Sequence, residues 1–141
     1  MGFLGKKPAG AGPSATTTRH RGQLAEDAAL AHLQAAGLRL VERNYRTPGR
    51  GGGEIDLIVR GREGTLVFVE VRSRASRAFG GAGASIGATK RRRIVLAARH
   101  YLMRWPAPPP CRFDVVLVET SDPGAAPLVQ WLQAAFDADG A

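Results

Sequence analysis

Polar and apolar positions are most orderly over residues 54–60, EIDLIVR, and 65–73, TLVFVEVRS. Both runs are rich in Ile, Val, Leu and Phe, and both predict strands. GREG between them carries Gly64, suited to a left-handed turn position. Upstream, HRGQLAEDAALAHLQAA at 20–36 has helical spacing. Leu24, Ala28, Ala31 and Ala35 make one narrow stripe, with Leu30 and Leu33 on its shoulder, and Gly37 stops the helix. LRLVERNYR at 38–46 predicts a first strand, and TPGRGGG at 47–53 a glycine-rich turn. A second helix is expected over 88–104, ATKRRRIVLAARHYLMR, with Thr89 as candidate N-cap and Ile94, Ala97, Ala98, Tyr101 and Leu102 on its apolar side. WPAPPP ends it. RFDVVLVE at 112–119 predicts a strand covered on both faces, because Val115 to Val118 are apolar without alternation. PLVQWLQAAF at 127–136 fits a strand or a short helix equally.

The order α-β-β-β-α-β, with a short last element, predicts an α/β protein: a central mixed sheet with helices on its faces. At 141 residues the chain suits one domain with a single modest core. Residues 1–18, rich in Gly, Ala, Pro and Thr, read as a disordered tail, leaving 19–141 as the domain. Residues 75–87 are small and read as a flexible loop.

The hairpin carries four charges whose placement needs explaining. With Arg62, Glu63 and Gly64 as a three-residue turn, pairing sets Arg60 opposite Leu66, Ile58 opposite Phe68, Asp56 opposite Glu70 and Glu54 opposite Arg72. All eight share one face; the other carries Ile55, Leu57, Val59, Val67, Val69 and Val71. Asp56 and Glu70 then stand roughly 5 Å apart at Cβ, a destabilising like-charge pair. A cation between them resolves the conflict, and carboxylates without Cys or clustered His select Mg²⁺ or Mn²⁺. Such an ion polarises a phosphodiester and lowers the pKa of a bound water. The competing reading is a Glu54–Arg72 cross-strand salt bridge, with Asp56 and Glu70 facing water.

Charge adds a partner to this picture. The net charge is +8, and all 20 Lys and Arg lie in residues 1–112, whereas residues 113–141 hold five of the 12 acids. This asymmetry suggests a polyanion, most simply nucleic acid. KRRR at 90–93 opens the second helix, where cations oppose the helix dipole and phosphate contact compensates. Arg74, Arg77, Lys90, Arg91 and Arg92 are the candidate nucleic-acid contacts. Tyr45, Tyr101 and Phe113 read as core, so duplex or branched DNA suits the chain better than extended single-strand stacking. His20, His32 and His100 receive no catalytic role, and no Ser-His-Asp set, phosphate loop or zinc site is present in the pattern. The lone Cys111 and the lack of a long apolar run lead to the expectation of a cytoplasmic, membrane-free protein.

GEIDLI followed by FVEVRSR resembles the YraN family of small bacterial endonuclease-like proteins. RGQLAEDAALAHLQAAGL, NYR before the glycine turn, Lys90 and RFDVVLV extend the resemblance over roughly residues 20–136. That family is similar to the PD-(D/E)xK nuclease superfamily and its Holliday-junction resolvases. The resemblance implies a restriction-endonuclease-like fold, Asp56 and Glu70 as metal ligands, and Glu26 as an added acid. It also implies Mg²⁺ (or Mn²⁺)-dependent hydrolysis of DNA, with branched or damaged DNA as candidate substrate, and a homodimer. One departure matters: the superfamily's lysine after the second acid is Arg72 here. Arginine stays protonated and cannot be a base, but it can clamp a phosphate oxygen. Lys90 offers a second amine. The alternative is a non-catalytic nucleic-acid-binding or genome-maintenance accessory protein on a weakened nuclease scaffold.

Overall fold

The computed structural model describes residues 13–74, 86–120 and 124–139, with residues 13–21 and Arg74 described by backbone alone. The elements run α1 (Pro13–Ala35), β1 (Arg39–Arg46), β2 (Glu54–Arg60), β3 (Leu66–Arg74), α2 (Ala88–Leu102), β4 (Cys111–Glu119) and β5 (Leu128–Phe136). The strands form one five-stranded sheet in chain order. Only β3 and β4 are parallel, and α2 is the crossover between them; every other neighbouring pair is antiparallel. This is the expected mixed sheet with a helix on each face.

The hairpin forms in the register derived from Gly64. Leu57 pairs with Val69, Ile58 with Phe68, Val59 with Val67 and Arg60 with Leu66. Gly64 adopts φ +101°, the left-handed position the short turn requires, and Gly61 N–H closes the loop on Thr65 O at 3.0 Å.

Two apolar layers sandwich the sheet. On the α2 side Ile58, Phe68, Ile94, Tyr101, Phe113 and Val115 interlock, and Tyr101 meets the edges of Tyr45 and Phe68. On the α1 side Ala25, Ala29 and Leu33 lie on Leu57, Val59, Val67, Val69, Val116 and Val118. The buried stripe of α1 is thus rotated about one residue from the expected one, and Leu24 is half exposed. Alanines on every side of this helix give no strong moment, so the sheet selects the face that lets the backbones approach closest. The helix also starts at Pro13, seven positions before the expected start, with proline in the first helical turn where its missing N–H costs nothing.

Further expectations change on folding. The N-cap of α2 is Gly87, not Thr89; the Thr89 hydroxyl instead accepts from Arg92 at 3.3 Å. Ile55 belongs to the α2-side layer opposite Tyr45, not to the α1 face. The ambiguous 127–136 segment is strand β5, held on β4. There the fully buried Asp114 accepts from Arg112 Nε at 3.0 Å, Trp131 Nε1 at 2.8 Å and Ala134 N–H at 2.9 Å. Ala134 has φ +50° beside a register shift, so Asp114 takes up a backbone donor released from the ladder. Among the described residues no helix is long and apolar enough to cross a membrane.

Candidate functional site

The β2–β3 ladder ends at Leu57 and Val69, one pair short of the expected Asp56–Glu70 partnership. Asp56 uses its side chain where the ladder gives out: Oδ2 accepts from Val71 N–H at 2.8 Å. This brings the Asp56 carboxyl up to that of Glu70, close enough for the two to share a proton. Glu70 is 7% exposed, and its buried Oε1 has no hydrogen-bond donor. Burial first, and then the Asp56 charge, pushes the Glu70 carboxyl up to about 8. Burial raises Asp56 as well, opposed by the Val71 N–H.

Lys90, in the first turn of α2, is the cation that meets this pair. Its Nζ lies 3.7 Å from Glu70 Oε2 and 3.8 Å from Glu54 Oε2. Glu54 Oε1 is in turn 3.8 Å from Arg46 Nε. Among the described residues Glu54 therefore pairs with Arg46 and Lys90, and the Glu54–Arg72 bridge does not form. Arg72 is half-buried, and its positive charge lowers the Glu70 carboxyl, a smaller effect than burial.

Lys90 reaches the acids because of Gly53. A Cβ at Gly53 would lie 1.9 Å from Arg93 O and 2.8 Å from Ala97 N, so only glycine lets α2 dock onto the start of β2. The turn before it is fixed by Thr47, whose hydroxyl accepts from Gly53 N–H at 2.8 Å while Thr47 N–H donates to Gly53 O at 3.1 Å.

The remaining site residues fall elsewhere. Glu26 on α1 takes Arg43 Nη2 at 3.2 Å and Asn44 Nδ2 at 3.4 Å, so its contacts tie α1 to the edge strand β1. Among the described residues no three His, Cys, Asp or Glu side chains converge on a common metal position. Arg91 and Arg92 line an open groove on α2. Arg74 ends β3 with its side chain undescribed, and Arg77 and the small-residue loop at 75–85 lie outside the described residues. Sequence reasoning missed Glu54 as the acid shared by Arg46 and Lys90; the only signal was a charged residue at each end of the glycine turn.

The donor set at Asp56 and Glu70 is two hard oxygen groups, both disfavoured as neighbouring anions, with one oxygen buried and lacking a donor. These features fit a small divalent cation, which often takes only one or two protein carboxylates.

A mixed sheet with helices on both faces and paired acids on its central hairpin defines a restriction-endonuclease-like α/β protein. The family model described as "Uncharacterised protein family UPF0102" matches residues 25–118, which include Asp56, Glu70 and Lys90. The chain belongs to this family, the YraN family. It is 75% identical over 140 residues to a UPF0102 protein of Paracidovorax citrulli (strain AAC00-1), covering 98% of this chain and 99% of the relative. It is 70% identical over 138 residues to one of Acidovorax sp. (strain JS42), with the same coverage. A relative in Methylibium petroleiphilum is 58% identical over 125 residues, 86% of this chain and 98% of its own.

Proposed function

We propose that this chain is a DNA-binding, metal-dependent nuclease-like domain that hydrolyses phosphodiesters, with branched or damaged DNA as its substrate class. The observation that carries this reading is the pairing of the half-buried Asp56 with the buried Glu70, whose Oε1 lacks a donor. Asp56 and Glu70 hold Mg²⁺ or Mn²⁺. When bound, the ion polarises the phosphodiester and makes water a stronger acid. Everything else falls to the side chains. The Val71 N–H orients Asp56, and Glu54, steadied by Arg46, keeps Lys90 beside the pair. Lys90 and Arg72 place positive charge where a phosphate develops negative charge. Arg72 stays protonated, so it binds a phosphate oxygen and moves no proton. Glu26 acts at a distance by anchoring β1. Arg74, Arg77, Arg91 and Arg92 contact the backbone beyond the scissile bond.

A second reading is favoured by two features: Lys90 Nζ already stands 3.7 Å from Glu70 Oε2, and arginine stands where the superfamily has lysine. In that case the chain is a non-catalytic nucleic-acid-binding accessory protein. Incubation with linear, nicked and four-way DNA in Mg²⁺ or Mn²⁺ separates the two. The nuclease reading expects cleavage by the parent and a loss of roughly 100-fold or more in both Asp56→Asn and Glu70→Gln. Binding by the parent and both variants with no parental cleavage would select the accessory reading.

A further inference from the structure

Helix α2 carries a second feature on its outer side. An open groove of about 700 Å³ runs between this helix, Gly51 of the glycine turn, and Ala138 and Asp139 after β5. Its lining combines two chemistries. Arg91, Arg92, Arg93 and Arg99 supply positive charge, and Val95 and Leu96 supply an apolar floor. Leu96 is 47% exposed, so its aliphatic surface is open to the groove. Among the described residues none of the four arginines has a carboxylate ion-pair partner. The first turn of α2 holds no acid, so Arg91 and Arg92 stand against the helix dipole without local relief, whereas Arg99 lies in the last turn, where the dipole favours a cation. Arg92 is braced by the Thr89 hydroxyl. Asp139 closes one end of the groove with the opposite charge.

We infer that this groove binds a short unpaired stretch of nucleic acid, with its base against Val95 and Leu96 and its phosphates on the arginines. The inference rests on the nucleic-acid reading above and deepens it. A continuous duplex keeps its base faces stacked and shows only base edges in its grooves, so it satisfies the arginines but offers the apolar floor no base face. An unpaired nucleotide presents a phosphate and a free base face together, and base faces pack on apolar side chains and guanidinium planes. Arg92 and Arg99 lie two turns apart, about 10 Å along the helix axis, enough for a short stretch and no more. Lys90 sits one residue before this face and points into the acid pair. The groove therefore begins beside the candidate site. It would hold the single-stranded arm of a branched substrate next to the position where a strand is cut.

Binding without divalent ions isolates this surface from cleavage. Anisotropy is measured in EDTA on a labelled blunt DNA duplex and on the same duplex with a short unpaired overhang. The inference expects the overhang to bind roughly 10-fold tighter. Leu96→Ala should remove most of that preference while leaving blunt-duplex binding unchanged. Paired Arg92→Ala and Arg99→Ala should reduce the salt slope on the overhang substrate by about 1.4. Helical content and melting temperature matching the parent establish that both variants fold. Equal affinity for the two substrates, or a preference untouched by Leu96→Ala, overturns the inference and leaves the nuclease reading standing. Arginine variants that weaken both substrates equally mean that the groove holds duplex backbone, and also overturn it. Failure to bind either DNA removes the nucleic-acid reading together with the groove.

Discussion

Val71 N–H donates to Asp56 Oδ2 at 2.8 Å at the point where the β2–β3 ladder stops. The sheet thus gives up a backbone pair and uses a carboxylate as the acceptor. That exchange presses Asp56 against Glu70, a like-charge contact that folding alone would avoid.

The contact makes stability depend on pH. Glu70 in the folded chain titrates at about 8 against an ordinary 4.5. The folded state keeps a proton that the unfolded chain has released, so folding takes up a proton between those limits and stability falls as pH rises through the window. The slope is at most about 1.4 kcal/mol per pH unit for one group. Urea denaturation from pH 5 to 9 should show a falling midpoint in the parent and a flatter profile in Glu70→Gln. At the alkaline end the variant should be the more stable protein. A parent profile that rises over this range would contradict the proton-sharing pair.

Divalent ions compete with that proton. Mn²⁺ should therefore raise the melting temperature more at pH 8.5 than at pH 6, by mass action on the folded state. Asp56→Asn should abolish the increment. An equal increment at both values, or one surviving in the variant, would place the ion elsewhere.

Gly53→Ala should cost about 1–3 kcal/mol, the usual range for overpacking, because the new methyl meets Arg93 O at 1.9 Å and α2 must lift. The lift carries Lys90 away from Glu70, so the variant should bind Mn²⁺ and DNA abnormally even at temperatures where it stays folded. Gly51→Ala serves as a control for steric crowding, since a Cβ there meets nothing within 4 Å, although its φ of +65° carries some strain of its own. Equal stability of parent and Gly53→Ala would show that α2 does not dock this closely.

Asp114→Ala removes the acceptor shared by the half-buried Arg112 and Trp131 and by the Ala134 N–H, and should destabilise by about 1–3 kcal/mol, measured by tryptophan fluorescence during urea unfolding. Asp114→Asn keeps an acceptor for Trp131 and should cost less. Asp114 is the register partner of Val69 on the neighbouring strand, so its side chain projects from the face opposite to that of Glu70, and neither change should alter the pH profile set by Glu70.

Much of the hairpin was legible in the chain because its signals are local. Gly64 fixes the turn, the turn fixes register, and register puts both acids on one face. The stripe of α1 was not legible, since alanine at 25, 28, 29, 31 and 35 lets several faces compete and only the sheet decides. Lys90 read as one member of a basic run and as a second amine offered from the helix start. Its turn toward the acids depends on Gly53 admitting the α2 backbone, a contact between segments far apart in sequence. The role of Asp114 was not legible, since two of its partners, Trp131 and Ala134, come from a segment whose composition suits helix as well as strand. The resemblance to the nuclease superfamily placed Glu26 with the metal ligands; its contacts here are Arg43 and Asn44.

A crystal soaked in Mn²⁺ near pH 8.5 tests the central claim most directly. The account predicts an anomalous peak bound by both Asp56 and Glu70, with Lys90 Nζ displaced from its 3.7 Å contact with Glu70. Clear density for the two carboxylates still facing Lys90, with no ion between them at saturating Mn²⁺, would contradict it.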